Sequence, residues 1–270
     1  MLIRWLAVAM AMVVPCLPAG AQTAPAAVPT TTIAPAPAIS PATEAALAAL
    51  AEKTALPAGT RIVFLGDSIT AVTTRQPVKY PEMIGKALAK KYGDKAQAVN
   101  AGKGGDNVLS AMKRVEMDVT AKQPTLVFIN LGVNDSKLIA PDYAKNSVPP
   151  DQFTAGYRDL IKLIQEKTAA KVVVVGTLAC PDDVTRNNAM GKEKKGNYFG
   201  NPEQLKKYNA AAKEIAAEFK SDYVDLFDLF MAQPDLKALF PGDGVHANQQ
   251  GQELIAVQLM KHLAQKFPAK

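Results

Sequence analysis

The chain has 270 residues, with 31 Lys and Arg against 25 Asp and Glu for a net charge of +6, 48% hydrophobic residues and 2 Cys. It is too apolar for a wholly disordered chain and too poor in cysteine for a disulfide scaffold, and its single long apolar run excludes a polytopic membrane protein. The positive surplus is too small to mark a nucleic-acid partner, and no recognition motif supports one.

Residues 1–21 place Arg4 ahead of an apolar stretch from Trp5 to Leu17, followed by Pro18 and the small residues Ala19, Gly20 and Ala21. That order predicts a cleavable signal peptide and export, to the periplasm or outside the cell. Its apolar core is shorter than the ~20 residues of a spanning helix. Cleavage removes Cys16 and leaves Cys180, before Pro181, as a single thiol read as a packing residue. Residues 22–42 are Ala, Pro, Thr, Val, Ile and Ser with one Gln, a composition that predicts a flexible linker. Residues 43–270 are read as one domain, a comfortable size for a full core.

Five short apolar runs follow: Arg61–Leu65, Lys95–Asn100, Thr125–Leu131, Lys171–Leu178 and Tyr223–Phe227. They are nearly continuous rather than alternating, which predicts strands covered on both faces in a parallel sheet. Apolar residues at helical spacing predict helices over 81–92, 108–121, 153–164, 205–219 and 250–267. The alternation gives a three-layer α/β/α domain with right-handed crossovers, in which sites form beyond the carboxyl ends of the strands.

Four motifs sit at or near such ends. Gly66-Asp67-Ser68-Ile69-Thr70 follows the first strand, at a predicted strand-to-helix turn whose helix N-terminus favours negative charge. Asn100-Ala101-Gly102-Lys103-Gly104-Gly105-Asp106 follows the second and lacks the spacing of a phosphate loop. Gly132-Val133-Asn134-Asp135 follows the third, and Asp243-Gly244-Val245-His246 precedes the last helix. Alone, each reads as a turn or a cap.

Together, in this order and spacing, they resemble the four signature blocks of the SGNH hydrolases, or GDSL esterases and lipases. The resemblance implies a flavodoxin-like fold with five parallel strands and ester hydrolysis without a metal or organic cofactor. It implies Ser68 as nucleophile, His246 as general base and Asp243 as third triad member. The oxyanion hole is implied at the Ser68 and Gly105 N–H groups and the Asn134 amide, with Gly104 as the neighbouring alternative to Gly105. Asp67, Asn100 and Asp135 match positions that brace the loops. His262, the second histidine, lies inside the last predicted helix and reads as structural.

Residues 136–150 and 180–201 are long for α/β connections and are expected to shape specificity. Lys192, Lys194 and Lys195 in the second read as solvated charge before they read as a polymer or membrane contact. The expected partner is a small-molecule or glycan ester, with a cell-envelope or polysaccharide surface as a second and the chain monomeric. Three readings remain open: an exported carbohydrate O-acetylesterase, a lysophospholipase, lipase or thioesterase of the same family, and a non-catalytic glycan-binding domain.

Overall fold

The computed structural model describes residues 39–71, 78–191 and 196–269. The leader, most of the linker and Lys192, Lys194 and Lys195 lie outside the described residues.

The strands are β1 (Thr60–Gly66), β2 (Ala96–Gly102), β3 (Leu126–Asn130), β4 (Lys171–Val175) and β5 (Asp222–Val224), all parallel in the order β2-β1-β3-β4-β5. Ten α-helical segments are described: α1 (Pro41–Glu52), α2 (Tyr80–Tyr92), α3 (Val108–Met112), α4 (Val115–Asp118), α5 (Val133–Ser136), α6 (Pro150–Lys167), α7 (Asp182–Met190), α8 (Pro202–Glu218), α9 (Phe227–Met231) and α10 (Gln249–Lys266).

The strand side chains divide by parity. Ile62, Phe64, Leu126, Phe128, Val173 and Val175 pack on one face with α1, α2 and α10. Val63, Leu65, Val127, Ile129, Val172 and Val174 pack on the other with α3, α4, α6 and α8. Both faces are dry, so continuous apolar runs are what the strands require. Phe64 stacks on Phe128 at 5.2 Å. Burying side chains of this size stabilises by about 1.5–3 kcal/mol each.

Four expectations change. Ser40, Pro41 and Ala42, read as linker, are the cap and first turn of α1. Glu253 on α10 holds that turn, accepting from the Ser40 N–H (2.8 Å), the Ser40 hydroxyl (2.6 Å) and the Thr43 hydroxyl (2.7 Å). The helix predicted over 108–121 breaks into α3 and α4, because Arg114 between them turns its guanidinium inward. The fourth strand stops at Val175, beyond which the Asn209 amide of α8 satisfies both the N–H and the carbonyl of Thr177. The fifth stops at Val224, and Phe227 opens α9 with the Asp225 carboxylate accepting from Asp228 N–H.

Register sets the site. Gly66 lies level with Gly102 on one side and with Asn130 on the other. Three loops therefore leave one edge of the sheet side by side, with Ser68, Gly105 and Asn134 a few residues beyond it.

Candidate active site

Ser68 sits in a tight turn rather than at the start of a helix. The Asp67 carbonyl accepts from the Thr70 N–H (3.2 Å) and the Ala71 N–H (2.9 Å), and its carboxylate accepts from Ile69 N–H (2.8 Å). Among the described residues the next helix is α2, at Tyr80, so the expected helix N-terminus directly after Ser68 is absent there. The turn is fixed instead by side chains from three other elements. Gln252 donates to the Ile69 carbonyl, Asn100 donates to the Thr70 carbonyl, and Tyr80 shares a hydrogen bond with the Thr70 hydroxyl. Lys79, almost fully buried, donates to the Ser68 carbonyl at 3.3 Å.

The second loop packs tightly against this turn. A Cβ on Gly102 would come within 2.4 Å of the Ala71 nitrogen, so that position admits only hydrogen. Asp106 N–H closes a turn onto the Lys103 carbonyl, with Gly105 at φ +79° where a left-handed residue is needed. Gly105, rather than Gly104, lines the cavity in front of Ser68.

Asn134 comes from α5. Its Nδ2 donates one hydrogen to the Asp106 carbonyl at 2.9 Å, which leaves the second amide hydrogen for another acceptor. Asp106 is itself held by Arg114, whose Nε donates to Oδ2 at 2.5 Å with both side chains buried. The same guanidinium donates to the carbonyls of Ala101 and Gly66 and to Asp118. Arg114 thus joins the ends of β1 and β2 to the loop that carries Gly105. No motif in the sequence singles it out; its place eight residues after Asp106, amid apolar helical spacing, is the available signal.

Asp243 and His246 come from the loop before α10. The Asp243 Oδ1 accepts from the N–H groups of Val245 (2.8 Å) and His246 (2.9 Å), and Oδ2 faces His246 Nδ1 at 2.5 Å. The other ring nitrogen, Nε2, lies 2.8 Å from Ser68 Oγ. The hydrogen bond from His246 holds the Asp243 carboxyl well below the usual carboxylate range, against the opposing effect of partial burial. Asn188 on α7 steadies the loop by donating to the Asp243 carbonyl.

Two buried carboxyls behind the site shift the opposite way from Asp243. Burial pushes Asp67 up to about 7, opposed by the Ile69 hydrogen bond, and pushes Asp135 up to about 7, opposed by the Val108 N–H. Cys180 is buried, and desolvation pushes its thiol well above the ordinary range. His262 is largely buried beside Asp222, a carboxylate that sequence reading did not foresee there.

Ser68, Gly105, Asn134, Asp243 and His246 all line one cavity of about 460 Å³. Lys137, Thr185, Asn188, Asn197 and Phe199 line the rest. The two long segments are less loop-like than expected: the nine residues of α7 lie within the second, and Leu138 exchanges two backbone hydrogen bonds with Tyr198. A serine hydroxyl on an imidazole whose far nitrogen faces a carboxylate can give up its proton to the ring.

Residues 64–254 match the profile of the GDSL-like lipase/acylhydrolase family. The chain is 24% identical over 212 residues to the isoamyl acetate-hydrolyzing esterase 1 homolog of Mus musculus, covering 76% of this chain and 82% of that one. It is 25% identical over 224 residues to the acetylxylan esterase of Geobacillus stearothermophilus, covering 76% and 94%. Among solved structures it resembles the lipase/acylhydrolase from Enterococcus faecalis, with a TM-score of 0.63 at 21% identity over 78% of this chain and 99% of that one. The chain belongs to the GDSL-like lipase/acylhydrolase (SGNH) family and is a carboxylic ester hydrolase.

Proposed function

We propose that the protein is an exported O-acetylesterase acting on carbohydrate acetates. The observation that carries the catalytic part is the unbroken chain Asp243–His246–Ser68, at 2.5 and 2.8 Å, facing the Gly105 and Asn134 donors across one cavity.

In this reading Ser68 Oγ attacks the ester carbonyl while His246 Nε2 takes its proton. Asp243 keeps the other proton on Nδ1 and stabilises the imidazolium that forms. The oxyanion is met by the N–H groups of Ser68 and Gly105 and by the free hydrogen of the Asn134 amide. His246 returns the proton to the leaving alcohol. A water then repeats the sequence on the acyl-serine and releases acetate.

The acetyl and carbohydrate parts are supported by the cavity and by the relatives. Asn188, Asn197, Thr185 and Lys137 line the cavity together with Phe199, a mixed polar and aromatic lining suited to a hydroxylated sugar. Two relatives are named for acetate esters. Export is supported by the leader-like residues 1–21.

The test is hydrolysis of p-nitrophenyl acetate, butyrate and octanoate by the wild type and Ser68→Ala. Turnover is expected to be fastest on acetate and to vanish in the variant. A preference for octanoate would replace the acetylesterase by a lipase, and equal rates in both proteins would remove the triad.

A further inference from the structure

Lys137 stands in the cavity without a carboxylate. It follows α5 directly, three residues after Asn134, so both project from the same side of one helical turn. Its backbone is pinned: the carbonyl accepts from Ser147 N–H, and Leu138 next to it is bonded both ways to Tyr198. That pairing brings Phe199 alongside, and Lys137 Nζ lies over its ring at 5.0 Å. No ion pair to Lys137 forms among the described residues. Desolvation holds its ammonium below the ordinary lysine range, with the buried Asp135 acting the other way.

A half-buried ammonium left in this condition gains from an incoming anion, because the desolvation it has already suffered is then compensated. Nothing in the cavity competes. Asp243, the single carboxylate among the lining residues, is committed to His246 and two backbone N–H groups. Phe199 offers an apolar face beside the charge, and Asn197 and Asn188 offer amides.

On the acetylesterase reading above, on which this step rests, a two-carbon acyl group fills only a small part of the cavity of about 460 Å³. The remaining lining, Lys137 included, must therefore meet the alcohol. We infer that Lys137 is the specificity-determining residue for that alcohol, and that the alcohol is an acidic sugar whose carboxylate pairs with the ammonium while its ring lies against Phe199. The substrate class is then an acetylated uronic-acid glycan rather than a neutral one.

The experiment compares acetate release from O-acetylated oligogalacturonides with free carboxylates and from the same oligomers with the carboxylates methyl-esterified. The wild type is expected to favour the free acid in kcat/KM by about tenfold or more, the worth of one charge-assisted contact. That ratio should collapse toward one in about 0.5 M NaCl, where a partly exposed pair is screened. It should collapse likewise in Lys137→Met and return in Lys137→Arg, with circular dichroism showing that both variants are folded. Ser68-dependent release from both forms at equal efficiency, or a preference that survives Lys137→Met, would overturn the inference and leave the acetylesterase standing. No release from any sugar acetate, with p-nitrophenyl acetate still consumed, would overturn both.

Discussion

The Ser68 side of the cleft rests on the ends of β1, β2 and β3, and its supports are withdrawn from solvent: Arg114 on Asp106 and Gln252 on the Ile69 carbonyl are buried, and Asn100 on the Thr70 carbonyl is half-buried. The Asp243–His246 side hangs on a short loop ahead of α10, where the two side chains are 52% and 34% exposed. The carboxyls follow the same division, Asp67 pushed up by burial and Asp243 held down by its imidazole. On the proposed mechanism one side has to keep an attacking hydroxyl and its donors within tenths of an ångström. The other has to take up and release protons, which water access helps. Environment rather than residue type assigns the carboxyls their parts.

The sharpest break in this comparison comes from the exposed side. Asp243→Asn keeps an oxygen for the two backbone N–H groups but puts an amide donor against His246 Nδ1. The ring must then carry its proton on Nε2, facing Ser68, and cannot act as base. We expect kcat to fall by about 10⁴-fold, as when the third member of such a triad is lost. The melting temperature should hardly move, because the carboxylate is half exposed and no core contact is lost. A large drop in melting temperature would mean that this loop is as structural as the opposite side.

On the buried side the order of effects reverses. Arg114→Met strands the Asp106 carboxylate without its partner and is expected to cost about 3–5 kcal/mol in urea unfolding. Adding Asp106→Asn should recover part of that loss, since the stranded charge is gone; a purely additive double variant would show that Arg114 acts through its other acceptors, Ala101, Gly66 and Asp118. Whatever fraction remains folded should also turn over more slowly. Asp106 presents its carbonyl to Asn134 and directly follows Gly105, so a shift there misaims both proposed donors.

The contrast also explains what could be read from the residues alone. Continuous apolar runs are enough for a doubly covered parallel sheet, and the four motifs at its edge are short-range patterns whose family resemblance singles out Ser68, Asn134, Asp243 and His246, which the structure brings together around one cavity. The motif favours Gly105 over Gly104; its positive φ explains why a glycine stands there, and Gly105 is the one of the two that lines the cavity. Among the supports Asn100 comes with its motif, whereas those that act across long separations leave no local pattern. Glu253 caps a helix 213 residues away at Ser40, and Gln252 reaches Ile69 across 183. Arg114 breaks a helix whose apolar spacing alone predicts continuity, since three acceptors beneath it outweigh the turn it interrupts.

The smallest effect tests the carboxyl division directly. Asp67 in the fold takes its proton near pH 7, whereas in the unfolded chain it would do so near ~4. Between those values the native state holds a proton that the unfolded state has lost, so Asp67 makes stability fall as pH rises through that window and adds no further slope above it. Asp67→Asn preserves the acceptor for Ile69 N–H and removes the titration. The variant should therefore gain on the wild type steadily from pH 4.5 to pH 7.5 in thermal unfolding, while Asp135 keeps a residual slope of the same sign in both proteins. A constant difference across that range would mean that Asp67 is ionised in the fold, with the Lys79 ammonium outweighing its burial, and that the two sides of the cleft hold their carboxyls alike.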